Sequence, residues 1–271
     1  MRKILLLLLV CVLTISKANA WSHYGDEAVV IVASEHLTPK AKKVVKRYLG
    51  RDFSDDVRYL FGQERAKAKQ LSKKARRAAA EIHFLHLDSN FQPKSVKGKD
   101  AFKATEEALA VIKNHKSHSK EEVTIALRTV IELMCDMHNL ARIRIDGIPH
   151  SQRDFKYQFP TAEYGKNKDV FKSALWSKTW LGFDGGNRHF SANSWAMDMR
   201  IYIGDRYAEY SKGTLRDWVA DNGAIAAHYL EIYKPNAVVP YADHKWRWPV
   251  NYDMFIKSSC RLAALLNETL K

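Results

Sequence analysis

Apolar residues recur along this chain at three- and four-residue spacing with few breaks, and the pattern predicts an all-α, mostly helical fold. Residues 26–35 carry Ala28, Val29, Ile31 and Val32 at helical positions. Residues 39–49 are bounded by Thr38 as an N-cap, Pro39 at the first helical position and Gly50 just past the end. Residues 62–81, rich in Ala, Lys and Arg, and residues 106–113 read as further helices, with a polar loop at 115–120. Val123, Leu127, Val130, Ile131, Met134 and Met137 predict a long amphipathic helix over 121–142. Pro149, Pro160, Gly165, Gly182, Gly185 and Gly186 break the pattern, so 143–193 is expected to be irregular, with room for a short hairpin. Helical spacing resumes at 195–211, 215–233 and 252–270, and Pro235, Pro240 and Pro249 mark a loop between the last two. No repeat or linker divides the chain, which implies a single domain with an irregular insert.

The first twenty residues stand apart. Arg2 and Lys3 precede an apolar run at 4–15 that is too short to span a bilayer, and Ala18-Asn19-Ala20 fits a small-x-small cleavage site. The expected organisation is a signal peptide at 1–20 and a mature domain at 21–271, secreted or periplasmic, with cleavage between Ala20 and Trp21. Val10 before Cys11 argues against a lipid anchor. No other stretch is apolar and long enough to insert into a membrane, and a soluble monomer is expected. Cys135 and Cys260 remain after cleavage, and they read either as a disulfide, which export permits, or as two buried thiols.

Composition sharpens this only in part. Of 271 residues, 46% are hydrophobic and 27% charged, which excludes a wholly disordered, collagen-like or multi-span chain. The formal charge is +14, and losing Arg2, Lys3 and Lys17 with the leader lowers it to +11. That excess suits a polyanion without specifying one. Lys67, Lys69, Lys73, Lys74, Arg76 and Arg77 either track a phosphate backbone or form a solvated helix face.

Candidate chemistry lies in Asp55, Asp56, His83, His86, Glu132, Asp136 and His138. Glu132 and Asp136 are four residues apart and share one helix face. They read either as ligands of a metal ion or as a pair of solvated helix charges.

A Trp at the cleavage point, followed by Gly25-Asp26 and a helix, resembles the zinc-dependent S1/P1 nuclease family, which includes phospholipase C relatives. Phe53-Ser54-Asp55-Asp56-Val57-Arg58 is similar to that family's Trp-Ala-Asp-x-Val-Arg, and Ile82-His83-Phe84 to its His-aromatic step. Asp136-Met137-His138-Asn139 resembles its Gly-Asp-x-His-x-Pro helix, and Arg261-Leu262-Ala263-Ala264-Leu265-Leu266-Asn267 its C-terminal helix. The resemblance spans nearly the whole mature chain. It implies a helical fold of the phospholipase C/P1 nuclease type. It also implies metal ligands at Trp21, through its free amine and carbonyl, and at Asp55, His83 and Asp136.

The departures from the family pattern bear on function. Asp26 and Glu132 stand where the family has His, which leaves an oxygen-rich two-metal cluster of Trp21, Asp26, Asp55, His83, Glu132 and Asp136 for Zn²⁺, Mn²⁺ or Mg²⁺. Arg142 replaces another ligand. Its guanidinium either pairs with Glu132 or Asp136 in a vacated metal site, or supplies positive charge to a phosphoryl group. Ala192 and Ala196 fall near the remaining ligand pair, with His189 or Asp198 as displaced substitutes, so a third metal is not expected. His138 and His86 read as hydrogen-bonded structural residues.

The activity implied is a secreted metal-dependent endonuclease or phosphodiesterase on single-stranded nucleic acid or nucleotides. A metal-activated water would attack phosphorus, with Asp55 orienting it, Arg58 stabilising phosphoryl charge, and Phe84 and Arg142 binding substrate. Two alternatives remain open: a degenerate binding or structural member without the full metal site, and a phospholipid phosphodiesterase.

Overall fold

The helix Lys120–Met137 sits at the centre of the molecule, buried on nearly every side. The structure, a computed structural model, describes residues 23–50, 81–148, 156–157, 173–174, 191–232 and 241–271. Among these residues eight helices and four short strands follow in order: α1 (His23–Glu35), α2 (Pro39–Leu49), β1 (Leu85–Leu87), α3 (Ala101–Lys113), α4 (Lys120–Met137), β2 (Ile143–Ile145), β3 (Lys156–Tyr157), β4 (Ser173–Ala174), α5 (Ala192–Ile203), α6 (Tyr207–Tyr210), α7 (Leu215–Ile232) and α8 (Tyr241–Thr269). The fold is all-α in class. One cluster of buried apolar side chains takes residues from all eight helices and from β1 and β2. None of the described helices is long and apolar enough to cross a membrane.

Local chemistry explains the helix boundaries. Thr38 Oγ1 accepts the Ala41 amide at 3.2 Å, and Gly50 takes the left-handed turn at φ +76° that closes α2, as the sequence predicts. α4 begins in a capping box. The Ser119 hydroxyl accepts the Glu122 amide at 3.2 Å, and the Glu122 carboxylate accepts the Ser119 amide at 2.8 Å. It stops at Met137, five residues before the predicted end, because side chains take its last carbonyls: His138 Nδ1 donates to Met134 O and Asn222 Nδ2 to Met137 O.

Other boundaries also differ from the expectation. α3 starts at Ala101, capped by Asp100, and not at 106. The helix expected over 195–211 divides at Gly204 into α5 and α6. α8 begins at Tyr241 and contains Pro249, which the sequence places in a loop because proline has no N–H to give the helix ladder. The region 143–193 is not irregular from its start. Ile143–Ile145 pairs in parallel with Leu85–Leu87, in the register Leu85 with Ile143 and Leu87 with Ile145. Within that region β3 and β4 pair antiparallel, as a short hairpin would. α7 lies so close to β1 that a Cβ on Gly223 would come within 2.4 Å of Leu87 Cδ1.

Candidate metal centre

Two short parallel strands decide which residues meet. Because β1 and β2 run the same way, the segments that lead into them, Glu81–His83 and Leu140–Arg142, arrive at one end of the ladder. The last turns of α4 pack against both segments and carry Glu132 and Asp136. His83, Glu132 and Asp136 thereby form a group whose potential ligand atoms all lie within 4.8 Å of one another. All three are buried, His83 completely and Asp136 to 1% exposure, so Glu132 and Asp136 are not solvated helix charges.

His83 Nδ1 lies 2.7 Å from Asp136 Oδ2 and 3.8 Å from Glu132 Oε1. Among the described residues its buried Nε2 has no hydrogen-bond partner. Arg142 Nε approaches Asp136 Oδ1 at 3.4 Å, which places the guanidinium against the carboxylate, as the first of its two readings expects. Burial opposes a charged imidazole at His83. The carboxylates of Asp136 and then Glu132 outweigh that burial, so His83 keeps its proton above the ordinary imidazole range despite Arg142.

Asp26, on α1, is buried beside this group and outside the three. It accepts a hydrogen bond from the Cys135 thiol, and burial together with the Asp26, Asp136 and Glu132 charges pushes that thiol well up. Cys135 and Cys260 are both free and buried, so the disulfide alternative does not hold.

The sequence matches no protein-family model and no curated protein. The site therefore has to be read from its own residues.

Phe84, one residue past His83, is half-buried. Arg144 lies over its ring at 3.7 Å from the centroid and Arg142 at 5.3 Å. Arg144 Nη1 in turn donates to Glu81 Oε1 at 2.5 Å. Arg144 was not singled out from the sequence, although the alternation Ile143-Arg144-Ile145 is a two-residue period that aims it away from the core. His86 Nε2 lies 3.2 Å from Glu81 Oε1, in keeping with a structural role. His138 is fully buried with both ring nitrogens partnered. Ala192 and Ala196 are buried in α5, and Asp198 lies near Tyr252, apart from the group of three. Trp21, Asp55, Arg58, His189, the basic residues of 67–77 and residues 1–20, where a signal peptide is expected, lie outside the described residues.

The donor set suits a divalent cation: an imidazole whose Nδ1 faces two buried carboxylates, with a third carboxylate adjacent. Such a set of buried charges is costly without a counterion, and Arg142 and a protonated His83 offset part of it.

Proposed function

We propose that the protein is an exported, metal-dependent phosphodiesterase acting on single-stranded nucleic acid or nucleotides. The observation that carries this reading is the convergence of His83, Glu132 and Asp136 in one buried group. These three would hold a divalent ion, with Asp26 as the adjacent carboxylate and Trp21 and Asp55 as the further ligands that the family resemblance implies. A bound ion of this kind lowers the pKa of its water and neutralises phosphoryl charge. The protein's own contribution is orientation and charge. Before an ion binds, Asp136 holds the His83 ring toward the carboxylates through the hydrogen bond at Nδ1. Arg142, next to both Asp136 and Phe84, would bind a phosphoryl oxygen. Loading the site must release the proton that His83 shares with Asp136, so metal uptake weakens as pH falls.

A second reading is supported by the Arg142–Asp136 approach at 3.4 Å. With His83 protonated, Arg142 neutralises the group internally, as a degenerate binding or structural protein would require.

Elemental analysis after loading and desalting separates the two. The enzyme reading expects about two ions per chain, and fewer than about one per two chains overturns it, since this mechanism needs a metal pair. Hydrolysis of single-stranded DNA, abolished by chelator and absent on phospholipid vesicles, completes the test.

A further inference from the structure

α2 has no carboxylate along its length, and its outward side carries Lys40, Lys42, Lys43, Lys46 and Arg47, all exposed. Its apolar side chains turn inward: Ala41, Val45, Tyr48 and Leu49 are buried, and Val44 packs on the core. The turn at His115–Ser117 extends this charged face. Tyr48 Oη lies 3.0 Å from both His115 Nδ1 and His115 O, and Thr124 Oγ1 on α4 donates to Tyr48 O at 2.8 Å. These bonds hold Lys116 beside Lys40 and Arg47. All three positive charges, with burial as the first cause, keep the His115 imidazole below its ordinary range. Neighbouring acids are engaged elsewhere: Glu35 binds Arg200, and Glu122 closes the cap of α4. Among the described residues no carboxylate pairs with Lys40, Lys43, Arg47 or Lys116.

We propose that Lys40, Lys43, Arg47 and Lys116 form a docking face for a single-stranded nucleic acid. The proposal rests on the nuclease reading and gives it a substrate-holding surface away from the metal centre. Lys40, Lys43 and Arg47 follow one helix flank over about 10 Å, a linear array suited to successive phosphates of one strand. Among the described residues the face has no large exposed hydrophobic side chain to insert into a lipid surface, which disfavours a membrane partner. Thr124, where α2 is tied to α4, is twelve residues from Asp136 on the same helix, so the strand would have about 18 Å to travel to the metal centre.

The test is fluorescence anisotropy of a labelled single-stranded DNA oligonucleotide, in chelator to prevent hydrolysis, across a salt series. The variant carries K40Q, K43Q, R47Q and K116Q together. All four positions are exposed, so its melting temperature is expected to match that of the native protein. If each cation meets one phosphate, the slope of log affinity against log salt falls by about 3 and affinity near 50 mM salt drops by about 10³-fold. An unchanged slope and affinity overturns the proposal. So does a loss of binding confined to phosphatidylserine vesicles with oligonucleotide binding intact. An H83A variant is expected to keep the native slope. Failure of the nuclease reading would show instead as no turnover by metal-loaded native protein while the slope difference persists.

Discussion

Two buried histidines sit near the C-terminal end of α4 and are pushed in opposite directions. His83 faces the carboxylates of Asp136 and Glu132 and holds a proton above its ordinary range. His138 is held well below its ordinary range by burial, and the Arg261 guanidinium adds to that depression. Their hydrogen bonding differs in the same way. His138 Nδ1 donates to Met134 O at 2.8 Å, and Nε2 accepts from Arg261 Nη1 at 3.1 Å, which sets a neutral tautomer. Arg261 also bonds Asn222 and Asp221, and Asn222 reaches back to Met137 O, so α4, α7 and α8 are joined by one network. At the other site His83 Nε2 has no partner among the described residues, and Asp136 Oδ1 meets Arg142 at 3.4 Å. Burial alone does not mark a functional group. A network whose imidazole is fully bonded specifies packing, whereas one that keeps open donor atoms retains capacity for a ligand.

The largest effect is expected where the network is closed. Arg261→Met keeps much of the volume but leaves His138 Nε2 and the Asn222 carbonyl without their donor. The loss should be about 3 kcal/mol. For a chain of this size that lowers the melting temperature by about 6–10 °C. A shift within a degree of the native value would show that the network is dispensable and the contrast between the two sites false.

The two histidines should also titrate in opposite senses in chelated protein. A base whose folded pKa is depressed gives stability that is present above its unfolded value of 6.5 and lost as pH falls toward the folded value, which is the case of His138. A base whose folded pKa is raised gives stability that is present below 6.5 and lost as pH rises through the folded value, which is the case of His83. Nitrogen-15 NMR of the imidazoles reads both directly. At pH 6.5 His138 is expected to be neutral, protonated on Nδ1, and His83 to be mainly imidazolium. If both titrated near 6.5, neither environment would have the electrostatic character described above.

The same contrast explains what was legible in the sequence. α2 was readable to the residue because its stop and start signals, Thr38, Pro39 and Gly50, are local. The end of α4 was not, because Asn222 and the ring of His138 cap it through contacts that periodicity does not encode. β1 and β2 are three residues each, too short to show a period against their helical surroundings. Of the candidate site, only the shared face of Glu132 and Asp136 followed from spacing. His83 is a candidate by residue type, but it is 53 residues from Asp136, and only the family resemblance puts the two in one ligand set. Arg261 belongs to the C-terminal helix of the family resemblance, but its partner His138 lies 123 residues away, beyond the reach of any local rule.

The smallest effects decide whether the open site is functional or only strained. Asp136→Asn removes one buried negative charge, and His83 can release its proton in response, so the metal-free protein should lose only about 1 kcal/mol. Metal uptake should nevertheless collapse, because an amide is a poor ligand in place of a carboxylate. Ser119→Ala is the matched control at the far end of α4. It breaks the capping box, with an expected loss of about 1 kcal/mol, and touches neither histidine. Equal destabilisation with uptake lost only in Asp136→Asn would tie metal binding to this carboxylate and not to the stability of the helix. Equal loss of uptake in both variants would mean that the group depends on the integrity of α4 as a whole. A loss in Asp136→Asn as large as that in Arg261→Met would place Asp136 among the structural residues, and the difference between the two histidine environments would then concern charge and not function.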